Sequence, residues 1–389
     1  MIRIAFICDG LELGGQELGC LAVVRGLDRT RFQPHLYTFR PGSLLNEAAT
    51  LGVPIMVGYD KPASDDTWTD RDDAARAEYG RRLAARLRAD AIDACLLYAW
   101  PDGVAAAQRA NVRAIVERVD GVSLATRLSD KSACLRIICE SKMIRDVILA
   151  QRQLLRCRRE QLVVIENGID LARFDPSRYD RERCRAALGL LPDDFAIGAV
   201  ARLAPEKNLE HFLRAVALLA GKYGRWQPRR IRAVITGPDA GSRAHLEAEA
   251  GRLGIADRIC FLGSRSDVPE ILRALDVFAI TSLYEGTPFA LLEAMAMGLP
   301  IVATQAGAIA EVINGNGYLV CVLHPEETAR AMYDLLASRE LCNRLGKRSR
   351  KLAARYDVNR MVRRYESVLL DTLKSTASEP ATLSPQEPA

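Results

Sequence analysis

The chain contains 389 residues, of which 49% are hydrophobic and 26% are charged, and it carries a formal net charge of +5. This composition is ordinary for a soluble globular protein, and the length exceeds what one hydrophobic core usually holds, so we expect two domains. No apolar run approaches the ~18 residues that cross a bilayer, which excludes a membrane-spanning helix.

Cysteine and histidine usage argues against a disulfide-bonded protein and against a zinc enzyme. The ten cysteines are scattered without a C-x-x-C pair, so we expect reduced, buried thiols in a cytoplasmic protein. The four histidines lack H-E-x-x-H or any other ligand spacing, which argues against a zinc enzyme, and no metal site is expected.

The first half of the chain alternates apolar strands with helical patterns, which predicts parallel α/β layering. The start, MIRIAFICDG, is typical of a first strand and not of a signal peptide. We predict an N-terminal domain over 1–170. Its strands are expected at 2–8, 34–39, 54–58, 93–98, 114–119, 135–140 and 162–167, and its helices near 15–27, 70–89, 101–110 and 141–155.

The second half repeats this architecture after a turn-rich linker, 171–195. A C-terminal domain is predicted over 196–355, a last helix over 356–374, and a disordered Pro-, Ser- and Thr-rich tail over 375–389. Strands are expected at 196–202, 231–237, 259–263, 277–281 and 301–304, and helices near 208–222 and 242–253.

The most informative segment is SLYEGTPFALLEAMAMGLP, residues 282–300. Thr287 is a favourable N-cap, Pro288 suits the first helical position and Gly298 suits the end, so a helix is predicted from about Pro288 to Met297. Its start would present unpaired amides to a phosphate. Glu285 would lie before the helix and Glu293 within it, a layout that suits a nucleotide-diphosphate sugar.

A second constellation lies in VARLAPEKNLEHFL, where Arg202 and Lys207 follow a predicted strand. Two cations at the end of a strand can neutralise a diphosphate and stabilise it as a leaving group.

These motifs resemble the E-x7-E and G-R-L-x-x-x-K-N signatures of glycosyltransferase family 4 (glycosyl transferases group 1), which are retaining enzymes of GT-B fold. Ala201 replaces the glycine of the second signature. The resemblance implies two Rossmann-like parallel-sheet domains that face each other across a cleft, with a C-terminal helix that crosses back to the first domain. It is specific from about Arg202 to Glu311 and diffuse elsewhere.

The resemblance also implies further donor-site residues. Gly263, Ser264 and Arg265 occupy the position that contacts the nucleobase in the family. TQAGAIAE resembles the family's V-G-G-x-x-E loop, with Gly307 matched and Ala308 in place of the second glycine. The expected donor-binding residues of the helix segment are Gly286, Thr287, Pro288, Phe289 and Ala290.

In the first domain, Gly14 and Gly15 lie between the first strand and its helix, where they favour an anion and match the family's glycine-rich loop. The histidine that many family members carry in this domain is absent near VERVDGVSL. Asp120, or Arg118, stands in its place, and Asp120 is our candidate for positioning or deprotonating an acceptor hydroxyl.

We therefore expect a retaining, metal-independent hexosyltransferase that uses a nucleotide-diphosphate sugar, with a UDP-sugar favoured, and a glycan or lipid-linked acceptor. The catalytic candidates are Glu285, Arg202, Lys207 and Asp120. No cofactor and no nucleic acid are expected as partners. Alternatives are a nucleotide-sugar 2-epimerase of the same fold and a non-catalytic sugar-nucleotide-binding protein.

The segment 142–160 carries six basic and two acidic residues. It predicts a surface helix with a solvated basic face, or a peripheral contact with acidic lipids at the inner membrane face.

Overall fold

The computed structural model describes residues 1–58, 73–98, 101–120, 131–223 and 229–378. The chain divides into two compact units, Met1–Glu166 with Asn359–Ala389, and Asn167–Val358. Residues 379–389 of the expected tail lie outside the described residues.

The first unit is built on a seven-stranded sheet in the order β3-β2-β1-β4-β5-β6-β7, and every described strand pair is parallel. Its strands are β1 (Ile2–Cys8), β2 (Phe32–Thr38), β3 (Ile55–Val57), β4 (Ala94–Tyr98), β5 (Ala114–Val119), β6 (Arg136–Cys139) and β7 (Leu162–Val164). Its helices are α1 (Gly15–Gly26), α2 (Leu45–Ala49), α3 (Asp73–Ala89), α4 (Pro101–Arg109) and α5 (Lys142–Ala150).

The second unit contains a six-stranded parallel sheet in the order β10-β9-β8-β11-β12-β13. Its strands are β8 (Phe195–Val200), β9 (Ile231–Thr236), β10 (Ile259–Gly263), β11 (Val277–Ile280), β12 (Ile301–Thr304) and β13 (Gly317–Val320). Its helices are α6 (Arg181–Ala187), α7 (Leu209–Leu218), α8 (Arg243–Arg252), α9 (Val268–Ala274), α10 (Phe289–Ala296), α11 (Ile309–Val312), α12 (Pro325–Ala337) and α13 (Arg339–Ala353).

Burial explains why these strands are apolar on both faces. The central strands β4 and β11 are buried along their whole length, since helices cover parallel sheets on both sides. Two apolar clusters of the second unit contain residues of its sheet, one including Phe278 and Leu291, the other including Phe195 and Phe212. The predicted fold class, two Rossmann-like parallel-sheet units, is confirmed.

The strand order creates one reversal in each sheet, between β1 and β4 in the first unit and between β8 and β11 in the second. Ligands of open α/β sheets bind at such a reversal, beyond the carboxyl ends of the strands. In the second unit this position is flanked by the loops after β8 and β11, which carry Arg202 and Glu285.

The last helix, α14 (Val358–Ser378), belongs to the first unit from Asn359 onward. Glu366 accepts a hydrogen bond from the Asp28 amide at 2.8 Å, and Arg364 contacts the Glu166 carboxylate at 2.9 Å. Because the helix reaches Ser378, the prediction that disorder begins at residue 375 is wrong for its first four positions.

Other boundaries differ from the predictions. The segment expected as a linker, 171–195, lies inside the second unit, where Arg181 of α6 pairs with Asp276 at 2.9 Å. Strand β13 and helices α12 and α13 were not predicted. The β13 sequence, GYLV, is too short to show a period, and its place at the sheet edge depends on pairing with β12.

Candidate active site in the second unit

The site is built from two loops that leave neighbouring strands. The loop after β8 carries Arg202 and a short 3₁₀ turn, Pro205–Lys207, and the loop after β11 carries Glu285. Leu283 of the second loop donates its amide to the Glu206 carbonyl of the first at 2.9 Å. The backbone itself therefore holds the two loops together.

Lys207 and Glu285 form the central contact of the site. The Lys207 Nζ lies 2.7 Å from Glu285 Oε1, and the Ser282 hydroxyl donates to the same oxygen at 2.6 Å. The side chains of Lys207 and Glu285 are 19% and 11% exposed. The pair is therefore well shielded from water, while enough of each group remains accessible to meet a ligand.

Arg202 lies in a more open position. Its guanidinium pairs with Glu206 at 2.7 Å, and the two side chains are 50% and 44% exposed. An exposed pair of this kind contributes little to stability, about 0–1 kcal/mol. The Arg202 guanidinium is therefore free to exchange Glu206 for an anionic ligand at low cost.

Helix α10 starts one residue later than predicted. Pro288 occupies the N-cap position with no side-chain cap, and the helix runs over Phe289–Ala296, so the prediction that Thr287 caps the helix is wrong. Within the described part of the chain, the amides of Phe289 and Ala290 have no acceptor. These two amides are therefore open at the start of α10.

Glu293 lies one turn inside α10 and is partly buried. Its carboxylate makes no hydrogen bond or ion pair to any residue that the structure describes. Burial raises the pKa of Glu293 from its ordinary 4.5 to about 7, against the opposing charge of Arg173. A buried carboxylate without a partner is costly, which suits a group that gains its hydrogen bonds from a ligand.

The loop after β12 closes one side of the site. Ala308 donates its amide to the Glu285 carbonyl at 2.9 Å. Gly307 has φ +58°, and a Cβ at this position would lie 1.9 Å from the same carbonyl oxygen. Glycine is therefore required here for both conformation and space.

Two residues of this site were not assigned from the sequence, Ser282 and Thr304. Thr304 donates its hydroxyl to the Ser282 carbonyl at 2.8 Å, and both residues are buried. The position of Ser282 three residues before Glu285 was visible, but a serine at the end of a strand is too common to indicate a role by itself.

The residues expected to contact the nucleobase lie at the end of the edge strand β10 and in the loop after it. Gly263 ends β10, which is separated from β8 by β9, and its φ of +67° favours glycine. Arg265 pairs with Asp267 at 2.7 Å, and that carboxylate raises the pKa of Arg265. Ser264 is exposed. Ser264 and Arg265 thus begin the loop that follows Gly263 at the end of β10.

Gly14, Gly15 and Asp120 lie in the first unit. Gly14 stands at the N-cap of α1 with φ −146°, an extended conformation that any residue adopts, so backbone conformation is not the reason for this glycine. Asp120 follows β5, and its Oδ2 is buried without a hydrogen-bond partner among the described residues.

A buried arginine supports Asp120. Arg118 is fully buried, pairs with Asp120 Oδ1, and bonds to the Tyr365 hydroxyl of α14. It also lies 3.7 Å from Glu140 and 5.9 Å from the ring centroid of Tyr98. The sequence pointed to Arg118 or Asp120 as alternatives, whereas the structure joins them.

Residues 1–58, 73–98, 101–120, 131–223 and 229–378 contain no group of three or more His, Cys, Asp or Glu side chains arranged to hold a metal ion. The same residues contain no helix that is long and apolar enough to cross a membrane.

The two units have the GT-B fold that the sequence predicted, which is the architecture of a large class of glycosyltransferases. Residues 180–352 match the family model of glycosyl transferases group 1. The matched residues lie within the second unit and include Arg202, Lys207, Glu285 and Glu293.

Curated relatives match over part of their length. The chain is 30% identical over 215 residues to a lipopolysaccharide core biosynthesis mannosyltransferase, LpsB, of Rhizobium meliloti, a match over 53% of this chain and 61% of the relative. It is 32% identical over 198 residues to the putative glycosyltransferase EpsD of Bacillus subtilis, with 50% of each chain covered. The matches thus span about half to three fifths of these relatives.

Solved structures agree in fold over nearly the whole chain. The crystal structure of Anabaena Alr3699/HepE in complex with UDP-glucose superposes with a TM-score of 0.79 at 22% identity, covering 95% of this chain and all of that one. At this identity the likeness shows the fold.

Proposed function

We propose that the protein is a glycosyltransferase that moves a hexose from a nucleotide-diphosphate sugar to a hydroxyl acceptor. One observation carries the proposal. Lys207 and Glu285 are paired at 2.7 Å beside the reversal point of the second sheet, in the unit that also contributes Arg202 and the open amides of α10. Cations and amides suit a diphosphate, and carboxylates suit sugar hydroxyls.

Departure of the nucleoside diphosphate is the step that these cations assist. As the bond between the sugar and the phosphate breaks, negative charge grows on the diphosphate, and fixed cations lower the energy of that transition state. Arg202 and Lys207 take this role, which makes transfer independent of a divalent metal. Transfer that persists in EDTA supports this assignment, and a strict Mg²⁺ requirement contradicts it.

Two carboxylates recognise different parts of the donor. Glu293 accepts hydrogen bonds from the ribose hydroxyls, and Glu285 accepts them from the hydroxyls of the hexose. Gly263, Ser264 and Arg265 border the nucleobase, and Gly14 and Gly15 contribute amides to the donor phosphate. The donor is a UDP-sugar, in line with the UDP-glucose named for the Anabaena neighbour.

The acceptor side of the proposal rests on Asp120. Asp120 Oδ2 is buried and has no hydrogen-bond partner among the residues that the structure describes. Such an oxygen is suited to accept the proton of a sugar hydroxyl. The names of the relatives, which include a lipopolysaccharide core mannosyltransferase, favour a glycan or lipid-linked acceptor in polysaccharide biosynthesis. Retention of the anomeric configuration is part of the proposal and is read directly from the anomeric coupling in the NMR spectrum of the product.

The first test is a ligand screen by thermal shift against UDP-, GDP- and ADP-glucose. Specific binding raises the melting temperature by mass action, and we expect UDP-glucose to give the largest rise. NMR of the donor with protein alone follows. Slow hydrolysis to free sugar fits a transferase, whereas conversion of the donor to its epimer, or binding without any turnover, would refute transfer.

We also propose that the protein is cytoplasmic and contacts the inner membrane face through the basic segment 142–160. Helix α5 begins this segment, Arg152 follows it, and Leu154 beyond the helix is 81% exposed. An exposed leucine among arginines suits an acidic lipid surface. Co-sedimentation with phosphatidylglycerol vesicles, lost on pure phosphatidylcholine vesicles and in high salt, is expected; equal sedimentation with both would exclude it.

A further inference from the structure

The two oxygens of the Glu285 carboxylate have unequal surroundings. Oε1 accepts hydrogen bonds from Lys207 Nζ at 2.7 Å and from the Ser282 hydroxyl at 2.6 Å. Oε2 has no partner within the part of the chain that the structure describes. One oxygen therefore anchors the side chain, and the other is available for a ligand.

In the proposed function, one of the two anchors, Lys207, also binds the diphosphate of the donor. Lys207 is a point charge on a flexible stem, and a bound diphosphate carries more negative charge than one carboxylate. Lys207 is therefore drawn toward the diphosphate when the donor binds, which weakens its hold on Glu285. The Ser282 hydroxyl is neutral and lies in a residue that is 2% exposed, so it cannot follow.

The backbone around Ser282 is fixed independently of Lys207. The fully buried Thr304 donates its hydroxyl to the Ser282 carbonyl at 2.8 Å. Thr281, the preceding residue, donates its hydroxyl to the Asn208 carbonyl at 3.1 Å. The Ser282 hydroxyl is thus held on a rigid support that a ligand does not need to disturb.

We propose that Ser282 is a positioning residue that keeps Glu285 Oε2 directed at the hexose of the donor after Lys207 has engaged the diphosphate. This inference rests on the proposed function and deepens it, because it assigns recognition of the sugar, as distinct from the nucleotide, to a Ser282–Glu285 pair. Ser282 acts through Glu285 and does not itself touch the substrate.

The test compares the affinities of UDP and UDP-glucose by isothermal titration calorimetry. Ser282→Ala removes a hydrogen bond to a charged group, so we expect the affinity for UDP-glucose to fall by about tenfold. The affinity for UDP, which lacks the hexose, should stay within about twofold of the wild type. Ser282→Thr keeps the hydroxyl and should retain most of the preference for UDP-glucose.

Ser349 offers a matched control. It is a fully buried serine of the same unit, and its hydroxyl accepts a hydrogen bond from Asn316 Nδ2 at 3.2 Å. Ser349→Ala loses a comparable buried hydrogen bond at a position without contact to Glu285. It should lower the melting temperature about as much as Ser282→Ala does, and leave the ratio of the two affinities unchanged.

The outcomes separate this inference from the proposed function. If the wild type prefers UDP-glucose over UDP and Ser282→Ala keeps that preference, the inference fails while the transferase proposal stands. Equal losses of UDP and UDP-glucose affinity in Ser282→Ala would show general damage to the site and also overturn the inference. If the wild type binds neither ligand, the proposed function fails and takes the inference with it.

Discussion

Without a bound ligand, the wild-type protein should have a smaller free energy of unfolding at neutral pH than a variant that is uncharged at position 293. Burial raises its pKa from 4.5 to about 7, so the folded state holds this proton more tightly than the unfolded chain. The contribution of this group to the free energy of unfolding is complete below pH 4.5 and is lost as the pH rises through 7. At about 1.4 kcal/mol per pH unit, the loss approaches about 3 kcal/mol by pH 8.

Glu293→Gln removes the titration while preserving the shape of the side chain. We expect the variant and the wild type to have similar free energies of unfolding at pH 4.5, and the variant to be more stable by up to about 3 kcal/mol at pH 8. Urea unfolding of both proteins at the two pH values measures the difference, and other titrating groups cancel because both proteins share them. A difference that is independent of pH would refute the reasoning.

Three further outcomes follow from the site. If the ribose binds to the charged form of Glu293, about a tenth of the protein can bind the donor at pH 6 and about nine tenths at pH 8. The dissociation constant for UDP-glucose should therefore be about tenfold higher at pH 6 than at pH 8. In Glu293→Gln the dissociation constant should not change with pH. Lys207→Ala should slow transfer by about 100-fold or more in a steady-state assay of UDP release, and near-normal turnover would remove its role at the leaving group. Gly307→Ala should abolish UDP-glucose binding in calorimetry because the added Cβ would collide with the Glu285 carbonyl. Gly315→Ala is the control, since Gly315 has φ +69° and open space around it. It should lower the free energy of unfolding in urea by only about 1–2 kcal/mol and retain binding.

The fold was predictable because its signals are local. Each strand of the second sheet except β13 is an apolar run that ends at a turn, and such runs are read from a few adjacent residues. The start of α10 was placed within one residue, since Pro288 is restricted in its backbone whatever the rest of the chain does. The predicted N-cap was wrong. The Thr287 side chain is of a type that caps helices, but the helix begins one residue later and Pro288 occupies the N-cap position.

The sequence by itself determined which groups are available: two glutamates eight positions apart, two cations after a strand, and glycine at position 307. Only the tertiary structure decided how they combine. Lys207 and Glu285 are 78 positions apart and meet because β8 and β11 are neighbours in the sheet. Strand order and burial depend on interactions across the whole unit, which no local pattern contains. The same holds in the first unit for Arg118 and Tyr365, which are 247 positions apart.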